Sequence, residues 1–198
     1  VTSSHSPEAC SCAGKRWDAE GPLVDLLLGD DPALAIDGMT RALADGATPE
    51  QLGAAVTQAA FARMARYHLS NEFGDWDTVH HGVTTANAVH QALRRAPSAD
   101  LLRAAFDTAM AVYHARFLNI PPAAIPEPNG AASVSPDEML MEILGLMDQQ
   151  QHVNEAGRAT ARYVDAGMPD DALLATLAQA LLREDAGFHQ FQLIEAAL

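Results

Sequence analysis

Apolar residues recur every three or four positions along most of this chain. Leu173, Leu177 and Leu181, for example, share one face of a 3.6-residue spiral. Runs of β-branched residues are almost absent, whereas residue types that favour helices are frequent. The pattern predicts an all-α fold, a single-domain bundle of about seven helices over residues 21–198, after a flexible polar lead-in over 1–20. The helices are expected at roughly 21–28, 32–45, 49–71, 77–95, 98–117, 136–166 and 170–197.

Glycines and capping residues mark several of the predicted helix ends. Gly46 and Gly167 each follow a predicted helix, where glycine commonly takes the left-handed conformation that terminates it. Thr48 is typical of a helix start, because its side chain can cap the first turn. Ser135, three residues before Glu138, predicts a capping box.

Two histidines occupy equivalent places in two similar stretches. The stretch ending at His68 matches the stretch ending at His189 at a constant offset of 121 positions, which indicates an internal helical repeat. Each histidine has a carboxylate four residues away, Glu72 after His68 and Asp185 before His189. Because residues i and i+4 lie on one helix face, each pair can converge on one point. Two such pairs are typical of a metal centre inside a helical bundle.

Asp185 falls on the predicted apolar stripe of the last helix, about 120° from Leu173 at 100° per residue. A carboxylate that faces the core is costly unless it is paired, protonated or bound to a metal. Its candidate partners are His189, a cation, and an arginine such as Arg63 or Arg66. A buried ion pair that joins two helices is therefore an alternative to a metal site.

The fourth predicted helix begins beside the end of the third and carries two histidines. Asp77 is favourable at its start, and His80 and His81 follow. Because only a short loop separates the two helices, His68, Glu72 and one of these histidines can supply three ligands.

A second metal is expected near the middle of the sixth predicted helix. His152 and Glu155 repeat the histidine–carboxylate spacing at i and i+3. The full set of expected metal ligands is His68, Glu72, His80, His81, Asp185, His189, His152 and Glu155.

The expected chemistry is a redox or oxygenase reaction on a small-molecule substrate. Imidazole and carboxylate suit iron, manganese or zinc, and iron is the metal expected here. Glu72 and Asp185 would move protons as catalytic residues, while Arg63 and Asn87 would orient the cofactor or the substrate. Haem, with one of the histidines as axial ligand, is an alternative cofactor.

Composition limits the partners and the location that are expected for this chain. The formal net charge of −14 argues against nucleic acid and against an anionic membrane surface as partners. No apolar run approaches the roughly 18 residues of a membrane span. The two cysteines, Cys10 and Cys12, are expected to be free thiols in the lead-in, and the cytoplasm is the expected location.

Three runs carry a family resemblance: YHLSNEFGDWDTVHH at 67–81, ANAVHQAL at 86–93 and LREDAGFHQFQ at 182–192. They resemble the all-helical region of actinobacterial proteins that carry an attached Rieske [2Fe–2S] domain, and the likeness extends from about residue 20 to the end. The resemblance implies a redox setting in which an electron-transfer partner or a fused Rieske domain delivers electrons. The Cys-His pairs that bind a Rieske cluster are missing from this chain.

The run DGATPEQL at 45–52 is similar to the carboxymuconolactone decarboxylase and alkylhydroperoxidase-D helical family. That family's mid-helix Cys-x-x-Cys is missing here, so a thiol peroxidase is not expected. A non-catalytic helical interaction module that partners a Rieske-type domain remains an alternative function. A homodimer is the expected assembly.

Overall fold

The structure is a computed structural model that describes residues 17–128 and 135–197. Within these ranges the chain forms nine α-helices, one 3-10 helix and no strand, which confirms the predicted all-α fold. The α-helices are α1 (Glu20–Leu28), α2 (Pro32–Ala44), α3 (Pro49–Met64), α4 (Phe73–Arg95), α5 (Ala99–Ala115), α6 (Pro136–Met147), α7 (Val153–Asp165), α8 (Asp170–Arg183) and α9 (Phe188–Ala197). Most of the predicted lead-in, including Cys10 and Cys12, lies outside the described residues. None of the described helices combines the length and the apolar character that crossing a membrane requires.

Two predicted helices are each divided in two, which raises the number above the expected seven. The helix predicted over 136–166 is interrupted between α6 and α7, where Gln151 has a φ of 69°. This left-handed conformation cannot continue a right-handed helix. The helix predicted over 170–197 is interrupted between α8 and α9, where Glu184 is extended with φ −98° and ψ 161°. No proline stands in either interruption, so the sequence alone predicted single helices.

The third predicted helix ends earlier than residue 71. Residues 65–72 lie between α3 and α4. Asn119 holds this connection, because its side-chain oxygen accepts a hydrogen bond from the His68 N–H (3.0 Å) and its amide donates to the Arg66 carbonyl (2.6 Å). The expectation that His68 and Glu72 share a helix face is therefore wrong, since tertiary hydrogen bonds replace the helical ones.

The glycine helix ends are confirmed. Gly46 and Gly167 have positive φ values of 101° and 66°. Beyond α2, the Ala47 N–H donates to the Ala42 carbonyl at 2.8 Å, and the equivalent bond closes α7. This bond, from the residue after the glycine back across the last turn, is the Schellman pattern that satisfies carbonyls at a helix end.

Capping boxes form at both predicted helix starts. The Thr48 hydroxyl accepts from the Gln51 N–H (3.1 Å), while the Gln51 side chain accepts from the Thr48 N–H (2.9 Å). Ser135 and Glu138 make the same reciprocal pair at 3.3 and 2.8 Å. Each pair satisfies N–H groups that have no partner inside the helix.

The described residues fall into two compact units. The first comprises residues 17–60 and 86–114. Leu52, which is fully buried, belongs to its core. Next to it Gly53 allows α3 and α4 to approach closely, since a Cβ at this position would lie 3.0 Å from the His90 Cα.

The second unit comprises residues 61–85, 115–128 and 135–197. Helices α6, α7 and α8 supply its larger apolar core, in which the Tyr163 hydroxyl donates to the Pro169 carbonyl at 3.0 Å. The buried members of this core are Met139, Leu140, Ile143, Ala159, Tyr163 and Leu173.

Candidate metal centre

Asp77, His81 and His189 bring their ligand atoms together within the second unit. Asp77 Oδ1 lies 3.3 Å from His189 Nε2, and Asp77 Oδ2 lies 3.7 Å from His81 Nε2. One ligand atom from each residue falls within 4.8 Å of the other two. Across residues 17–128 and 135–197 this triad is the one group of three or more His, Cys, Asp or Glu side chains placed in this way.

Two helices position the triad. Asp77 and His81 are four positions apart in α4, so their side chains share one helix face. His189 is the second residue of α9 and joins the triad from more than one hundred positions later in the chain. The interruption between α8 and α9 gives this short helix its own start, independent of the direction of α8.

The contacts that Asp77 makes are close to the spacing of ligands around a bound metal ion. Two ligands about 2.1 Å from a metal and about 90–110° apart are separated from each other by roughly 3.0–3.4 Å. The contact between Asp77 and His189, at 3.3 Å, lies in this range, and the contact with His81, at 3.7 Å, lies slightly above it. A small rotation of the more exposed histidine would close the difference.

The triad is open on one side. The exposed fractions of the side chains are 57% for His81, 38% for Asp77 and 18% for His189. Solvent therefore reaches the triad along His81, while His189 forms its buried wall. An open side is what a catalytic metal site requires, since water or substrate must occupy a coordination position.

His80 and two aromatic residues lie against the buried side of the triad. The His80 ring centroid is 6.0 Å from that of His189 and 5.8 Å from that of Trp76. Tyr67 packs edge-on against Trp76 at 5.4 Å. Burial lowers the pKa of His80, and the neighbouring His189 lowers it further, so His80 is neutral at pH 7. His80, predicted as a ligand, thus neighbours the triad rather than belonging to it.

A hydrogen bond fixes the position of Tyr67 next to Trp76. Its hydroxyl donates to the Ala115 carbonyl at 2.8 Å. Burial raises its pKa, and the nearby Asp75 raises it further, so the hydroxyl keeps its proton at neutral pH. Tyr67 therefore supports Trp76 through packing and one fixed hydrogen bond.

Packing holds the ring of His189. Its Nδ1 is buried and has no hydrogen-bond partner among the described residues. In most metal sites the ring nitrogen that does not bind the metal donates a hydrogen bond. Here the ring lies 3.9 Å from Phe188 and meets His81 edge-on at 4.6 Å, measured between centroids. Its orientation thus depends on these rings and on Asp77.

His68 and Glu72 contribute no ligand atom to the triad. Both are exposed in the connection between α3 and α4. His68 Nδ1 lies 2.6 Å from the Ser70 hydroxyl, and the Glu72 N–H donates to Asp75 at the start of α4 (3.2 Å). Their contacts are those of a turn and a helix cap.

Asp185 is exposed in the interruption between α8 and α9, so its expected place on a core-facing stripe is wrong. The stripe required a continuous helix, which ends at residue 183. Because Asp185 reaches water, the reason for expecting a buried ion pair with Arg63 or Arg66 is removed. The helical i, i+4 relation between Asp185 and His189 is lost for the same reason.

His152 and Glu155 lie at the start of α7, not in the middle of a helix as predicted. His152 Nδ1 is 4.0 Å from Glu155 Oε2, beyond hydrogen-bond distance. Glu155 instead accepts from Arg158 at 3.0 Å. No third ligand joins this pair among the described residues.

Arg63 and Asn87, predicted to orient ligands or substrate, belong to different units. Arg63 is half-buried in the last turn of α3, in the second unit. Asn87 is buried in α4, in the first unit, where its side-chain oxygen accepts from Gln91 at 3.4 Å. The structure places neither in the triad, and their roles stay predictions.

Asp77 is the residue that sequence reasoning missed. The sequence predicts it as a favourable charge at a helix start, whereas α4 begins four residues earlier, at Phe73. The available signal was its spacing of four positions from His81, the same spacing that drew attention to Asp185 and His189. The i, i+4 spacing of a carboxylate and a histidine therefore predicts Asp77 as a ligand as well.

Comparison with known proteins assigns the chain to no family. No family model, no curated protein and no solved structure matches it. Both resemblances drawn from the sequence therefore stay predictions. The functional inference rests on the Asp77, His81 and His189 triad.

Proposed function

We propose that this chain is a metal-dependent redox protein in which Asp77, His81 and His189 bind iron and a small molecule is the substrate. The observation that supports this is the convergence of two imidazoles and one carboxylate beside an open face. Two histidines and one carboxylate are the ligand set of non-haem iron(II) oxygenases, which leaves positions free for other ligands. A Rieske-type domain, as the resemblance implies, is the proposed electron donor.

The metal and the residues around it would have separate roles in the reaction. Bound iron would supply Lewis acidity and redox chemistry. Asp77 presents Oδ1 to His189 and Oδ2 to His81, so its carboxylate can bind the metal through either oxygen or both. The His80 ring lies beside His189, and burial lowers its pKa, so this imidazole is placed to accept a proton. His80 thus takes the proton-transfer role predicted for Glu72 and Asp185, which are exposed and contribute no ligand atom to the triad.

Metal binding can be measured through tryptophan emission. Trp76 is 5.8 Å from His80, which itself lies 6.0 Å from His189, so a paramagnetic ion in the triad should quench its fluorescence. The other tryptophan, Trp17, belongs to the first unit, and replacing it with Phe isolates the Trp76 signal. Titrating this variant with Fe²⁺ under anaerobic conditions, and with Co²⁺, should give quenching that saturates at one ion per chain.

A matched pair of double variants tests the ligands. Replacing His81 and His189 with Ala should weaken binding by at least about 100-fold, the upper range for loss of even a supporting residue at a metal site. Replacing His68 and His152 with Ala removes the same number of imidazoles and should leave binding unchanged. Metal retained by the first variant, or lost from the second, would overturn the proposed ligands.

The same preparation separates the alternatives. A Soret band after addition of haem, removed by the His189→Ala change, would favour haem as the cofactor. No stoichiometric binding of Fe²⁺, Co²⁺, Mn²⁺ or Zn²⁺ would refute a metal centre and favour a helical interaction module. Elemental analysis of protein purified without chelator provides the independent count.

A further inference from the structure

A cavity of ≈ 420 Å³ lies in the second unit, where α8 and α9 meet the end of α6. Small-molecule sites in proteins commonly enclose roughly 300–1,000 Å³. Its apolar wall is formed by Met147, Leu177, Ala180, Leu181, Leu193 and Ile194. This volume and wall suit a chain or ring of several carbon atoms.

The polar part of the lining is acidic. Asp148, Glu184 and Asp185 contribute carboxylates. Arg183 compensates only Asp148, through an ion pair of 2.7 Å. Within the described part of the chain, Glu184 and Asp185 have no basic partner and are both exposed to solvent.

Gln190 adds an uncharged acceptor to the same lining. Its amide oxygen can accept a hydrogen bond, and its helix α9 also supplies the apolar side chains of Leu193 and Ile194. A ligand that placed its apolar part against α9 would therefore bring a polar end near an acceptor and two carboxylates.

We propose that this cavity binds a small amphiphilic cation, an alkyl or aryl body that ends in a protonated amine. The apolar wall would bury the body, and the charges of Glu184 and Asp185 would attract the ammonium group and repel a carboxylate of the same size. The cavity lining does not include His189, so this site does not require the metal centre. Asp185, predicted as a metal ligand, would act here as a recognition residue.

Three eight-carbon probes of different charge provide the direct test: octylamine, 1-octanol and octanoate. Each is titrated into the full chain at pH 7 and low salt, while the ¹³C methyl shifts of Leu181, Leu193 and Ile194 are followed by NMR. Octylamine should bind most tightly, octanol less tightly and octanoate about ten-fold more weakly than octylamine, because opposite charges at a rim are attracted and like charges repelled. Equal affinities, or shifts that map elsewhere, would overturn the proposal.

Charge variants of the exposed carboxylates Glu184 and Asp185 test their contribution without disturbing the fold. Replacing Glu184 with Gln and Asp185 with Asn should bring the affinities of octylamine and octanoate to within about two-fold, leaving octanol unchanged. Replacing Asp25 and Asp107, exposed residues of the first unit, with Asn changes the net charge equally and should keep the ten-fold preference. Loss of the preference in this control would assign it to net charge and refute the site.

Discussion

The Glu138 carboxylate accepts two hydrogen bonds from Ser135 at the start of α6, one from the backbone N–H (2.8 Å) and one from the hydroxyl (2.9 Å). These bonds lower the pKa of Glu138, and the backbone bond is the larger cause. Because the folded pKa lies below the unfolded one, the bonds stabilise α6 above the unfolded pKa. That stabilisation is lost as the pH falls through the folded pKa.

Replacing Ser135 with Ala should raise the pKa of Glu138 while leaving it below its usual value. The hydroxyl bond is removed, but the backbone N–H remains to donate. NMR titration of the Glu138 side-chain carboxyl carbon measures the change. Replacing Ser98, which caps α5 through a bond of 3.2 Å to the Leu101 N–H, removes a comparable hydroxyl and should not alter Glu138. An unchanged pKa in the Ser135 variant would contradict the assignment.

Replacing Gly53 with Ala should destabilise the protein by about 1–3 kcal/mol, the usual cost of overpacking. The new Cβ would lie 3.0 Å from the His90 Cα and 3.2 Å from Leu93 Cδ1, and a backbone atom cannot rotate away. Gly82 is a matched control, because a Cβ there meets nothing within 4 Å. Replacing Gly82 with Ala should stabilise α4 by about 0.5–1 kcal/mol. Urea unfolding followed by circular dichroism distinguishes the two signs, and equal effects would contradict the close approach.

At the residue scale, sequence reasoning found two of the three members of the triad. His81 and His189 stood out because histidine is uncommon and its chemistry is recognisable. Asp77 did not, because an acidic residue near a helix start has an ordinary explanation. His68 was included through a repeat that holds at the glycines but not at the histidine, since Asn119 binds the backbone around it.

At the scale of elements, Gln151 permits a test of the interruption between α6 and α7. Its φ of 69° is favourable for glycine and costs other residues about 1–2 kcal/mol. Replacing Gln151 with Gly removes this cost but adds the larger conformational entropy that glycine loses on folding. The net effect should be a stabilisation of about 0.5–1 kcal/mol. The same change at Gln150, for which no positive φ is found, should destabilise it. Thermal unfolding measures both, and a loss of stability at Gln151 would argue for a continuous helix.

Helix starts and ends with local causes were predictable, and a helix end with a distant cause was not. The Gly46 and Gly167 ends and the Thr48 and Ser135 caps each depend on residues within one turn. The end of α3 depends on Asn119, more than fifty positions away in the sequence from Arg66 and His68. Periodicity carries no information about such a partner.

At the scale of the whole molecule, metal binding should raise the free energy of unfolding. A metal held at one hundred times its dissociation constant adds about 2.7 kcal/mol, provided that the unfolded chain does not bind it. Urea unfolding of the Trp17→Phe protein, followed by Trp76 emission with and without Zn²⁺, which does not quench as paramagnetic ions do, measures the shift. The His81→Ala and His189→Ala double variant should show no shift. A shift of the same size in that variant would place the metal elsewhere.

Two of the three donors in the triad come from one helix, and the third comes from α9, more than one hundred positions later. An isolated peptide spanning α4 would retain Asp77 and His81 at helical spacing and lack the third donor. The ratio of metal affinities between the full chain and that peptide would thus report how much long-range folding adds to a local pair. A chain shortened to end at Gly187 should bind the metal as weakly as the peptide does. Removing the last ten-residue helix would therefore abolish the contribution of the third donor.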